Sequence, residues 1–441
     1  MTSFQIRRKR EVLIITDIFP PAGGAGVQFV LKLIKYLNSF NWKPVFLVPR
    51  IEDYWIKDES IEENVDFSNI KVIKAFSPKL LRVDQIIAGS NDKKNYKGGK
   101  KFVKEVFNFL NKYIVNNLFI PDKRLLWIPF AYFEGRRILN SERIDIIFTI
   151  SPAYSTILLG LLLKKEFEIP LISYFLDPWT DNPYSADSYF KRFINQRLEN
   201  YVMGYIDKAI FCTKSFADYM SLKYSNCKEK IFYVPIGFDP EDFKDININN
   251  KSYNSYLIIT YTGTFYGHRN PYTFFKALSL LLKRNPNLRS KIKIKLIGAS
   301  KFDIIKIIEE FNLKDIIEIV GYVPWKIAIN VLRDSDILLL ILGEDDKFFV
   351  PGKLYEYLGA GRFILGIGPN GEAKEIVEKS GIGVFFSNIQ IEEISDLIYE
   401  LYLLKTKGEI PINPNLSYIS QFYSQNCIKK LTDIFFEVIN E

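Results

Sequence analysis

The chain reads as an α/β protein of two doubly wound domains that face each other across a cleft. Buried-looking apolar runs alternate with helix-period segments along nearly all of its 441 residues, the pattern of parallel sheets covered by helices. The length exceeds what one typical hydrophobic core organises. A stretch rich in Asp, Asn, Lys and Ser, with little apolar content, separates two such blocks. The division this predicts is a first domain over 1–240, a linker over 241–255, a second domain over 256–415 and a terminal helical region over 416–441. The terminal region is expected to pack back toward the first domain.

The first unit is a strand over 12–16, a loop over 17–26, and a helix that buries Val27, Val30, Leu31, Ile34 and Leu37 at helical spacing. Strands follow over 44–48, 144–150 and 170–175, with a helix between the last two. Runs over 208–212 and 231–234 close the first domain. The second domain takes strands over 257–261, 292–297, 316–320, 336–341 and 363–366, each separated from the next by a helix-length segment. Open parallel sheets of this kind bind ligands beyond the carboxyl ends of their strands.

Composition excludes several classes. Hydrophobic content of 48% with 25% charged residues is that of an ordinary globular protein. No apolar run approaches the ~18 residues of a membrane span, and no apolar leader follows the basic start MTSFQIRRKR. Cys212, Cys227 and Cys427 are scattered and odd in number, which supports neither a disulfide framework nor a zinc motif. A reducing, cytoplasmic setting is expected. The single histidine, His268, excludes any site that needs two. The net charge of +8 admits anionic partners. Nucleic acid is not expected, because the charge is spread along the chain and no recognition motif is present. Lysines do gather at Lys93, Lys94, Lys97, Lys100, Lys101 and Lys104, and Phe102, Val106, Phe107, Leu110 and Tyr113 interleave with them or follow. This is either a basic amphipathic helix for a membrane surface or a helix packed on its own domain behind a lysine-rich loop.

The chemistry concentrates in four places. In PGKLYEYLGAGRFILG, residues 351–366, Lys353 and Glu356 share one helix face, and Leu354, Tyr357 and Leu358 form the opposite, apolar one. A helix N-terminus with a lysine suits a phosphate, and a carboxylate one turn on suits a sugar diol; the alternative is an ordinary surface ion pair. The loop with Gly23 and Gly24, and the loop with Gly263 and Arg269, each follow the first strand of their domain. Glycines there admit close backbone approach, and Arg269 is a forked donor for a diphosphate. Asp177 ends a buried strand of the first domain. It is a candidate general base or hydroxyl-orienting group, or else a cap for the next helix, with Asp181 as its neighbouring alternative.

Taken in order, IFPPAGGAGVQFVLKLIKYL, FTISPAYSTILLG, ISYFLDPW, VPIGFDPEDF, TGTFYGHRNP, IVGYVPW and PGKLYEYLGAGRFILG resemble the GT-B-fold glycosyltransferases of family 4 (glycosyl transferases group 1), nearly end to end. The resemblance implies two Rossmann-like domains, an N-terminal one for the acceptor and a C-terminal one for a nucleotide-sugar donor. It implies transfer of a sugar with retention, without a metal ion or cofactor, into surface polysaccharide, glycolipid or glycan. The donor-binding residues it implies are Gly23, Gly24, Gly263, Arg269, Tyr322, Val323, Lys353, Leu354 and Glu356. Arg269 and Lys353 would neutralise the leaving diphosphate, and Asp177 would stand on the acceptor side. A lipid-linked acceptor, at the inner face of a membrane, fits the basic stretch. The family's first glutamate, eight positions before Glu356, is replaced by Phe348, with Asp345 and Asp346 nearby but out of register. Its acceptor-domain histidine is missing, and Leu176 stands where an arginine is often found. Other readings are another GT-B enzyme, such as a sugar-nucleotide epimerase, and a non-catalytic sugar-nucleotide-binding protein.

Overall fold

A computed structural model describes residues 8–50, 57–58, 60–61, 67, 70–78, 119–185, 187–244, 256–301, 303–408 and 410–440. The lysine cluster over 93–104 and most of the expected linker lie outside these residues.

The first sheet has seven parallel strands in the order β3-β2-β1-β4-β5-β6-β7. In chain order its elements are β1 (Arg10–Thr16), α1 (Ala25–Tyr36), β2 (Trp42–Pro49), β3 (Lys71–Ala75), α2 (Ile128–Ser141), β4 (Ile146–Ile150), α3 (Ser155–Phe167), β5 (Leu171–Phe175), α4 (Tyr189–Tyr205), β6 (Lys208–Phe211), α5 (Lys214–Lys223) and β7 (Ile231–Tyr233). The second sheet has six, in the order β10-β9-β8-β11-β12-β13. Its elements are β8 (Leu257–Thr262), α6 (Tyr272–Arg284), β9 (Ile292–Ile297), α7 (Ile304–Glu310), β10 (Ile317–Gly321), α8 (Trp325–Arg333), β11 (Ile337–Ile341), α9 (Gly352–Ala360), β12 (Phe363–Ile367), α10 (Glu372–Ser380), β13 (Gly383–Phe386) and α11 (Ile391–Thr406).

The central strands β4, β5, β6, β8 and β11 are buried along their whole length. Their apolar runs are therefore unbroken, as strands covered on both faces require. In each sheet the strand order reverses beside the first strand, between β1 and β4 and between β8 and β11, while all strands stay parallel. The loops leaving these strands open the crevice where doubly wound folds bind ligands.

A last helix, α12 (Ser424–Asn440), lies against the first domain. Phe435 meets Trp42 and Phe148 edge-on, with ring centroids 5.2 and 5.1 Å apart. The chain between the sheets is stitched to this return path, since Phe238 N–H donates to Phe422 O and Ser424 N–H donates to Phe238 O.

Candidate active site

The cleft takes its shape from α9. Pro351 precedes the helix and Gly361, in the left-handed region at φ 59°, ends it. Leu354, Tyr355, Tyr357 and Leu358 are buried, which fixes the helix's rotation and leaves Lys353 and Glu356 toward the crevice. Tyr357 locks the register. Its hydroxyl accepts from Thr262 N–H at 3.1 Å and donates to Leu339 O at 3.2 Å, tying α9 to β8 and β11.

Lys353 lies flat on an aromatic floor. Its Nζ is 3.8 Å from the centre of the Tyr261 ring, which stacks on Phe265. Gly263 provides the room: a Cβ there would stand 2.5 Å from Lys353 Nζ, and its φ of +114° suits only glycine. Burial brings the Lys353 pKa down to about 7, and the Arg269 charge pushes the same way, against Glu356 and Asp346. Glu356 accepts from the Trp325 indole N–H at 2.8 Å. Burial raises its pKa, while Trp325, Lys32 and Lys353 pull it back.

Arg269 is placed differently from the expectation that its fork would clasp a diphosphate. The fork closes on Asp346 instead, Nε to Oδ2 at 2.5 Å and Nη2 to Oδ1 at 2.8 Å. Nη1 donates to Tyr266 OH at 2.6 Å. A guanidinium has five N–H donors, so one on each terminal nitrogen is left for a ligand. Burial works against its charge, but the Asp346 bonds outweigh that and raise its pKa. Asp346 is a buried hub. It also accepts Gly343 N–H at 2.8 Å and, from the first domain, Tyr184 OH at 2.7 Å.

Tyr184 fits between Gly267 and Gly343, where added Cβ atoms would come within 2.6 and 3.1 Å of it. Further contacts cross the cleft. Asp58 accepts Trp325 N–H at 2.9 Å, Thr213 OH donates to Phe348 O at 2.8 Å, and Glu372 caps α5 through Lys214 and Ser215 N–H at 3.0 and 2.6 Å.

A cavity of about 320 Å³ lies between the domains, and Asp177, Arg269, Pro351 and Gly352 are on its wall. Trp325, which holds Glu356, borders a second cavity of about 460 Å³ with Gln28, Lys32 and Asp239. Asp177 makes no side-chain hydrogen bond within the described residues; burial raises its pKa and Arg269 opposes this. Asp181 is turned away and paired with Lys223 at 2.6 Å.

Gly24 caps α1 with open space before it. The wall of the first cavity takes Gly26 rather than Gly23 or Gly24. Tyr322 is half exposed, with its hydroxyl 3.4 Å from Asp58. Leu354 faces away from the crevice. Its side chain is fully buried in the core and its N–H donates to Pro351 O. The sequence reading noted Asp346 without giving it a role, and missed Tyr184, Trp325 and Asp58. Among the described residues, no cluster of His, Cys, Asp and Glu is arranged to hold a metal ion.

Comparison with known proteins agrees with this architecture. Residues 97–242 match the Glycosyltransferase Family 4 model, and residues 242–412 match that of Glycosyl transferases group 1. No curated protein matches by sequence. Solved structures match over the whole length. The sucrose-phosphate synthase of Thermosynechococcus elongatus superposes with a TM-score of 0.64 at 12% identity, covering 98% of this chain and 99% of its own. HepE of Anabaena, in complex with UDP, gives 0.61 at 12% identity over 97% of this chain and 100% of its own. The lipopolysaccharide outer core galactosyltransferase WaaB gives 0.58 at 13% identity, over 97% and 99%.

Proposed function

The chain belongs to the GT-B-fold glycosyltransferases of the family 4 type, and on that premise we propose that it transfers a sugar, with retention, from a nucleoside-diphosphate sugar to a hydroxyl acceptor in surface polysaccharide, glycolipid or glycan synthesis. The observation that carries this reading is the order of groups along α9. The free N-terminus of the helix and Lys353 come first, and Glu356 follows one turn on. Diphosphate and ribose hydroxyls are spaced in the same order in a nucleotide sugar.

In this reading the diphosphate rests on Lys353, the outer N–H groups of Arg269 and the helix N-terminus. Glu356 accepts from the ribose, with Trp325 orienting its carboxylate, and Tyr322 and Val323 flank the base. The sugar occupies the cavity beside Asp177. As the glycosidic bond breaks, charge grows on the leaving phosphate, and cations already in place stabilise it. That phosphate assists the incoming hydroxyl on the same face, while Asp177 orients the hydroxyl. No metal ion is needed in this scheme. UDP bound to the Anabaena structure supports a nucleoside diphosphate as the donor's handle.

The test is a binding titration with UDP, GDP and ADP on the wild type, Glu356→Ala and Asp177→Asn. One nucleotide should bind tightly, Glu356→Ala should lose it, and Asp177→Asn should keep it while losing turnover. Binding indifferent to Glu356 would remove the assignment.

A lipid-linked acceptor at the inner face of a membrane has a second support. Directly after the loop that carries Asp177 and Tyr184, α4 opens with Tyr189, Phe190 and Phe193, which are 89%, 62% and 46% exposed. Arg197 lies 4.6 Å over the Phe193 ring, and Arg192 is exposed beside it. Exposed aromatics among arginines match an anionic bilayer surface. No described helix is long and apolar enough to cross a membrane. Sedimentation with phosphatidylglycerol vesicles should pull the protein down, and Phe190→Ser with Phe193→Ser should release most of it. Equal sedimentation of the variant would place any membrane contact elsewhere.

A further inference from the structure

The first cavity has few polar groups to offer a sugar. Its polar side chains are Asp177, Asn182, Tyr184, Thr213, Tyr266 and Arg269. Most are already engaged. Tyr184 OH donates to Asp346, Tyr266 OH accepts from Arg269, and Thr213 OH donates to Phe348 O. Asn182 Oδ1 accepts Tyr184 N–H at 2.9 Å. With the outer N–H groups of Arg269 assigned to the diphosphate, the Asp177 carboxylate, the Asn182 amide nitrogen and the O–H proton of Tyr266 remain, and the Tyr184 oxygen can still accept. The rest of the wall is apolar, with Leu176, Phe216, Ile236, Phe348, Phe349 and Val350 prominent. Phe348 is held in place by its backbone bond to Thr213 and by the Tyr219 ring, 5.0 Å away.

A hydroxyl turned toward the Phe348 side of this wall would meet only hydrocarbon, and an unpaired buried hydroxyl opposes binding. A methyl group against the same wall favours it. We infer that the donor sugar is methyl-bearing, its methyl being the terminal group of a 6-deoxyhexose or that of an N-acetyl substituent, and that this methyl lies on the Phe348 side of the cavity. One oxygen of the Asp177 carboxylate then accepts from one of the sugar's remaining O–H groups or from its N–H, leaving the other for the acceptor hydroxyl. The inference rests on the donor placement proposed above.

The test uses nucleotide sugars that share a base and differ at one substituent. UDP-glucose is compared with UDP-6-deoxyglucose and UDP-N-acetylglucosamine, and GDP-mannose with GDP-6-deoxymannose. Free UDP and GDP are titrated alongside, so the sugar's contribution is read as a ratio. In the series of the preferred base, one methyl-bearing sugar should bind about 10- to 100-fold tighter than its parent, the range of methyl-scale discrimination in an apolar pocket. A gain in the 6-deoxy arm assigns the methyl to carbon 6, and a gain in the acetamido arm assigns it to the acetyl group. Phe348→Glu should shift the ratio toward the parent hexose. A parent that binds as tightly as both relatives, or a ratio unmoved in Phe348→Glu, overturns the inference while leaving the donor site standing. Free nucleotides that fail to bind, or bind indifferently to Glu356→Ala, bring down the donor placement and the inference together.

Discussion

Replacing Lys353 by methionine is expected to slow sugar transfer by about 10²–10³-fold, the usual effect of removing one preorganised group from a developing charge, with the fold kept. Methionine fills similar space over Tyr261 and removes only the cation. The position also predicts an unusual pH dependence. With the Lys353 pKa near 7 in the empty protein, the amine is only partly protonated at neutral pH, and Arg269, Glu356 and Asp346 are the charges that act on it. A bound diphosphate favours the ammonium and raises that pKa. Only the charged form binds well, so affinity is highest below about pH 7. It falls by up to about tenfold per pH unit above that, until the raised pKa of the complex is reached. Proton uptake on binding should therefore appear in calorimetry as a heat that depends on the buffer. Lys353→Arg keeps its charge throughout and should flatten the profile. A nucleotide affinity constant from about pH 6 to about pH 9 in the wild type would show that Lys353 does not meet the phosphate.

What the sequence makes legible follows the chain's periodicities. The two sheets were readable because their central strands are buried on both faces and appear as unbroken apolar runs. β3 and β13 went unread for the opposite reason. Both are edge strands, and the Lys71–Ala75 segment keeps polar residues along a partly exposed face, so its pattern is that of a loop. Lys353 and Glu356 were legible because helical spacing alone puts them on one face. The same geometry turns the Leu354 side chain about a quarter-turn away, into the core. Asp346, by contrast, becomes Arg269's partner only because β11 lies beside β8. That adjacency is a product of sheet order, which local pattern does not encode. Tyr184 and Asp58 reach their partners across the cleft and depend on how the domains meet. Trp325 sits within a quoted motif, IVGYVPW, but its bond to Glu356 needs the placement of α8 beside α9.

Asp346→Ala is expected to be the most destabilising single change in the cleft. The Asp346 side chain is fully buried and that of Arg269 is 12% exposed. Alanine leaves the guanidinium without its counter-charge, and strands Gly343 N–H and Tyr184 OH as well. Breaking a buried pair from one side costs about 3–5 kcal/mol, which should show as a lower denaturation midpoint. Transfer should fall by about 10²-fold in addition, because a cation displaced by ~1 Å no longer matches the leaving phosphate. Two companions separate these effects. Asp346→Asn keeps the volume and one acceptor oxygen, so it should retain more stability than alanine while still failing to clamp both nitrogens of the fork. Asp346→Ala combined with Arg269→Ala removes both charges and should be less destabilised than Asp346→Ala alone, since the penalty of an unpaired buried charge is gone. Additive losses in that pair would mean that the guanidinium is held by the rings of Tyr184, Tyr266 and Phe349 rather than by the carboxylate. If the clamp is what matters, activity in the double variant stays low although stability returns, because that site has lost the cation proposed to meet the leaving diphosphate.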